Sequence, residues 1–132
     1  MFHVEHSYLD AYRRFQRALQ QRNEALKGRA DRQEFDFWDQ EFVRLSAEVH
    51  RMRQSCVAWL DQWLANQDGR LGLGPIRLEY RPGWRAGSTL EEALRSSATQ
   101  ERQQKTTLSG PHRAEVRILC DGLLARGSVS RG

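Results

Sequence analysis

The sequence predicts an α+β chain: a long antiparallel helical hairpin, built as a coiled-coil arm, followed by a smaller mixed part. Three observations predict it. All three prolines and nine of the ten glycines lie after residue 66, and such a shift in breaker residues marks a change of architecture. Apolar residues recur in unbroken steps of three and four from Phe35 to Trp63, the spacing that keeps one helix face against a partner helix. Beyond residue 75, two short stretches alternate apolar and polar residues, as half-buried strands do.

The first helix is read from Tyr8, Tyr12, Phe15, Leu19 and Leu26, which share a stripe with Arg22 filling the position between the last two. Ser7 is the expected N-cap and Gly28 the expected residue just past the end. Gly28 to Gln33 is polar and short, suited to reversing the chain. The second helix is expected from Asp36 to Asn66, about 45 Å at the usual rise. Its stripe is Phe35, Trp38, Phe42, Leu45, Val49, Met52, Cys56, Trp59 and Trp63. Within that stripe Cys56 reads as a buried, inert thiol.

Residues 1–66 are thus the arm, 67–74 a linker containing Gly69, Gly72 and Gly74, and 75–132 a partial α+β lobe. In the lobe, Ile76 to Arg81 is a strand that Pro82-Gly83 turns. Ser88 or Thr89 caps a helix running through Leu90, Ala93 and Leu94 toward Gln104. Ala114 to Cys120 is a second strand, and Asp121-Gly122 signals a two-residue hairpin.

Composition narrows the function classes. With 132 residues, 39% hydrophobic and 29% charged, the chain fits one soluble domain. No run approaches the ~18 apolar residues of a membrane span, and the first residues lack a signal peptide's basic and apolar regions. Cys56 and Cys120 stand far apart, as in a reduced cytoplasmic protein. Nineteen of the twenty-one bases are Arg; this bias suits phosphate recognition, and a GC-rich coding sequence explains the larger share. Arg13, Arg14, Arg17, Arg22, Lys27, Arg29 and Arg32 crowd the first helix and its turn. Among them Arg13, Arg17, Lys27 and Arg29 are candidate contacts to DNA phosphates, with a solvated face of local ion pairs as the stronger alternative.

Other motifs carry less. The linker glycines follow a helix, precede a strand and lack the lysine of a phosphate loop. His3 and His6 are three apart, but no Cys or carboxylate cluster completes four ligands and His50 and His112 are remote in sequence, so no metal site is expected. No Ser-His-acid grouping suggests a catalytic residue. Gly110-Pro111-His112-Arg113 reads either as a turn that aims an imidazole and a guanidinium at an anion or as a plain structural turn.

The last residues add a resemblance. Val129-Ser130-Arg131-Gly132 resembles the start of an ABC-type signature motif in the variant of the RecF family of recombinational-repair ATPases. Phe2-His3, Gln20 to Leu26, Gly83-Trp84, Gly110 to Glu115 and Asp121-Gly122 resemble that family in its order and spacing. The resemblance implies a bacterial cytoplasmic repair protein with an SMC-like ATPase head, its signature lobe in the second half of this chain. It implies ATP with Mg²⁺ as cofactor, ATP-dependent homodimerisation, binding to single-stranded or gapped DNA, and recombination mediator proteins as partners. Recombinase loading, replication recovery and the SOS response are the implied roles.

Ser130 and Gly132, with Arg131 adding charge, are the implied nucleotide contacts, made across a dimer, and His112 and Arg113 an implied head-interface turn. The family's Walker A and Walker B segments have no counterpart here. The chain therefore reads as the family's middle third, truncated at both ends, and by itself is expected neither to bind nor to hydrolyse ATP. The reading from a different class is a stand-alone coiled-coil interaction module without nucleotide chemistry.

Overall fold

In the computed structural model, which describes residues 2–67, 70, 72, 74–120 and 123–124, two antiparallel helices lead into a small sheet and a helical pair. Helix α1 (Phe2–Glu24) ends in a wide π turn over Ala25–Arg29, where Gly28 takes φ +82°. Helix α2 (Arg32–Asn66) returns alongside it. Strand β1 (Ile76–Arg81), helices α3 (Leu90–Ser96) and α4 (Ala98–Gln104), a 3-10 turn (Pro111–Arg113) and strands β2 (Glu115–Cys120) and β3 (Leu123–Leu124) follow. The antiparallel sheet has the order β1-β2-β3, with Ile76 opposite Cys120 and Arg81 opposite Glu115. The Asp121-Gly122 turn lies outside the described residues.

The expected hairpin is present. Its seam buries Ala11, Phe15 and Ala18 of α1 against Phe42, Leu45 and Val49 of α2, and Leu90 and Leu94 of α3 close the core. Gly28 ends the first helix because a left-handed residue carries no Cβ penalty in glycine.

Three boundaries differ from the sequence reading. Ser7 is not a cap: nothing between Phe2 and His6 breaks a helix, and α1 runs through it. Helix α2 starts at Arg32, four residues before the expected Asp36, because the Asp31 carboxylate accepts from the Glu34 N–H at 2.8 Å and satisfies an end donor. The helix expected up to Gln104 is two helices, broken at Ser97. Thr89 rather than Ser88 caps the first of them, accepting from the Glu92 N–H.

The stripe on α2 is the larger correction. Phe42, Leu45 and Val49 are buried and Phe35, Trp38 and Met52 half-buried, but Cys56 is exposed and Trp59 and Trp63 are 55% and 45% exposed. Among the described residues, no α1 side chain covers the stripe beyond Met52. There α2 exchanges α1 for the sheet and buries a neighbouring face. His50 stacks on Tyr80 at 5.6 Å between ring centroids, Asp61 Oδ1 accepts from the Leu78 N–H at 2.7 Å, and Val57 and Leu64 are half-buried. Cys56 is therefore an exposed thiol. No helix among the described residues is long and apolar enough to cross a membrane.

Candidate functional site

Arg22 occupies a stripe position on α1 where an apolar residue would pack, and it is 3% exposed. A buried guanidinium demands acceptors, and it finds three. Its Nε donates to Asp39 Oδ1 on α2 at 3.0 Å, one Nη to Thr107 Oγ1 at 2.9 Å, and the other Nη to Glu101 Oε1 on α4 at 2.9 Å. The guanidinium also lies 5.3 Å from the Phe35 ring centroid and 5.6 Å from that of Phe42, a cation–π placement.

The network continues outward. Asn23 Oδ1 accepts from both the backbone N–H and the hydroxyl of Thr107. The second Glu101 oxygen accepts from the Leu108 N–H. Arg22 and Asn23 of α1 and Glu101 of α4 thereby hold the 105–110 loop, which enters the Gly110-Pro111-His112 turn.

That turn meets Gly83. The Gly110 N–H donates to the Gly83 carbonyl at 3.2 Å, and both glycines have positive φ, +142° and +103°. A Cβ on Gly83 would strike the Gly110 carbonyl, and one on Gly110 would sit 2.6 Å from Phe42 Cζ. Close backbone approach, together with φ, restricts both positions to glycine.

His112 points inward and Arg113 outward. The His112 Nε2–H donates to the Thr107 carbonyl at 3.0 Å, with its ring near Phe15 and Phe42, whereas Arg113 is exposed. Burial lowers the His112 pKa below the ordinary histidine value; the Thr107 carbonyl opposes this and Arg113 reinforces it. Arg53 of α2 completes the junction, donating to the Tyr8 hydroxyl and to the Pro111 carbonyl. Trp84 meets His50 edge-on at 5.0 Å.

The other sequence-derived candidates are not brought to this junction. Arg13 and Arg17 lie exposed on α1. Lys27 sits at the hairpin tip, paired with Glu24 at 3.3 Å, and the Arg29 side chain lies outside the description. Arg14 pairs with Asp10. Ser130, Arg131 and Gly132 fall outside the described residues. A cleft of about 820 Å³ opens beside the junction between the hairpin tip and α3–α4, lined by charges of both signs including Asp31, Arg32, Glu91 and Arg102.

Among the described residues no group of three or more His, Cys, Asp and Glu side chains gathers to hold a metal. The described linker glycines, Gly72 and Gly74, lack the neighbouring lysine that a triphosphate loop carries. Glu101, Thr107 and Asn23 were not singled out from sequence. The one signal that pointed to them was Arg22, a charge standing in an apolar stripe.

No protein-family model matches the chain. The chain is 34% identical to a DNA replication and repair protein RecF of Cellvibrio japonicus, over all of its own length and 37% of that relative's. Another RecF, from Vibrio cholerae, is also 34% identical with the same coverage. Among solved structures, the recombination mediator protein RecF with ATP superposes with a TM-score of 0.77 at 20% identity, over 98% of this chain and 38% of that one. The chain thus spans about 37% of the length of the curated relatives it matches.

Proposed function

We propose that the chain is a RecF-family segment, similar over its whole length to RecF proteins, and that it supplies the arm and signature lobe of a DNA replication and repair protein that works in recombination. In this reading residues 1–66 are the arm, 67–74 the linker and 75–132 the lobe. ATP with Mg²⁺, a homodimer, DNA and recombination mediator proteins are the cofactor and partners of the longer protein. Ser130, Arg131 and Gly132 are the proposed contacts to a nucleotide held by another subunit, and His112 and Arg113 a proposed head-interface turn. Recombinase loading and support of the SOS response in the bacterial cytoplasm complete the proposal.

One observation supports it most. The separate motifs that resemble the family meet in space: Arg22 and Asn23 hold Thr107, whose loop leads to Gly110 and its contact with Gly83. A junction of this kind transmits the position of an arm to a lobe.

DNA is held in this proposal by Arg13, Arg17, Lys27 and Arg29, through phosphates alone. Four such contacts to single-stranded DNA imply a loss of about fiftyfold in affinity between ~50 and ~200 mM salt. Titration of fluorescent single-stranded DNA with the purified chain tests this. Reversing both charges with Arg13→Glu and Arg17→Glu lowers the salt slope by about 2; binding that ignores salt, or a double variant that binds as before, removes the proposal for this face.

A further inference from the structure

We infer that the Gly110–Arg113 turn is a proton-sensitive latch between the arm and the lobe: neutral His112 keeps it closed, and a proton on His112 Nδ1 releases residues 107–113 from the two arm helices while the hairpin seam stays packed. Three grips hold the closed state. Thr107 is held by Arg22 and Asn23 of α1. The Pro111 carbonyl accepts from Arg53 of α2. The His112 ring rests on Phe15 and Phe42, one from each helix. Of these groups only the imidazole changes charge near neutral pH.

The tautomer decides the chemistry. The Thr107 carbonyl can only accept, so its bond at 3.0 Å fixes the proton of neutral His112 on Nε2. Nδ1 then carries a lone pair, and this atom is buried with no hydrogen-bond partner among the described residues. An added proton turns Nδ1 into a charged donor without an acceptor, which a buried site tolerates poorly. The surrounding charges give little relief. Arg22 on α1, Arg53 on α2 at the neighbouring Pro111 carbonyl, and Arg113 in the turn are all cations. The acids are Asp39 of α2 and Glu101 of α4, and both are committed to Arg22, with the second Glu101 oxygen on the Leu108 N–H. Burial, with Arg113 and Arg22, holds the His112 pKa below the ordinary 6.5 against the Thr107 carbonyl and Glu101. A released ring returns to the ordinary value, so closure is fully favoured above about pH 6.5 and progressively less below it. Release is local because Ala18, Leu45 and Val49 belong to a seam that packs helix on helix, whereas the segment is tied by side chains and by the Gly110–Gly83 backbone bond.

Hydrogen exchange read by NMR on the 132-residue chain tests the latch. The N–H groups of Gly110 and Arg113, which donate to the Gly83 and Gly110 carbonyls, report the turn, and those of Leu45 and Val49 report the seam. The turn should open more often than the seam, and ~0–1 M urea should leave its opening unchanged, as for any event that exposes little surface. Corrected for intrinsic exchange, turn opening should rise by up to about tenfold between pH ~7.5 and ~5.5, the factor set by one pH unit below 6.5. His112→Gln, whose amide can still donate to the Thr107 carbonyl, should abolish the rise, and His50→Gln should keep it. The measurements on the unaltered chain stand even if a substitution unfolds it. Turn amides that open only together with the seam, or opening that ignores pH, would overturn the latch. So would a rise that survives His112→Gln, and its loss in His50→Gln would assign the titration to the imidazole beside Tyr80.

Discussion

Arg22 is 3% and Glu101 1% exposed, and the two hold each other where neither is readily solvated. Removing one partner of such a pair leaves an uncompensated buried charge, whereas removing both does not. Arg22→Met should therefore cost about 3–5 kcal/mol in urea unfolding. Arg22→Met with Glu101→Met should cost less than the two single changes added, by about 1 kcal/mol or more; strict additivity would mean that the pair is not coupled. His112 gives a second prediction at this scale. Burial depresses its pKa in the folded state from the ordinary 6.5, and burial with Arg53 depresses that of His50. As pH falls below about 6.5 the unfolded chain takes up protons first, so stability is complete above that pH and declines below it. Thermal melts between pH ~7.5 and ~5.5 should show the decline, and His112→Gln should make it shallower. An unchanged slope would show that His112 does not carry it.

Element by element, the hairpin seam makes the sharpest contrast. Leu45 is 4% exposed in the core, and Leu45→Asp should cost about 3–5 kcal/mol. Its neighbour Arg44 is exposed and pairs with Glu41, and Arg44→Asp should change stability by about 0.5 kcal/mol or less. Two glycines allow a similar comparison in the lobe. Gly83 and Gly87 both have positive φ, but only Gly83 lies against backbone, at Gly110. Gly87→Ala should cost about 1 kcal/mol from strain alone, and Gly83→Ala about 2 kcal/mol more, read by chemical denaturation. Periodicity made the α1–α2 seam legible because both stripes answer to a local rule. It failed beyond Met52 because a stripe records that a face is apolar and says nothing of what covers it. Arg22 was visible as an anomaly, but its partners Glu101 and Thr107 lie 79 and 85 residues away, a separation that no local pattern spans. The Asp31 cap was within reach of the same rules, and the apolar stripe drew the boundary past it.

At the scale of the whole molecule, the described residues build a hydrogen-bonded junction and show no triphosphate cradle, which needs several backbone N–H groups with a lysine beside them. Calorimetric titration with Mg-ATP should therefore show no saturable binding below about 1 mM; a micromolar site would mean that the nucleotide chemistry lies elsewhere in the chain. The sheet gives the molecule a different vulnerability. Among the described residues strand β1 is an outer strand, and the donor at Leu78 is occupied by the Asp61 carboxylate. Unpaired strand edges are templates on which other chains add strands. One carboxylate on a helix therefore acts as a guard against fibrous growth, and it is the sole charge on a segment otherwise rich in tryptophan and leucine. Losing it would weaken that guard while leaving the adjacent apolar turns entirely without repulsion, so its value to the molecule is solubility over time more than folding free energy.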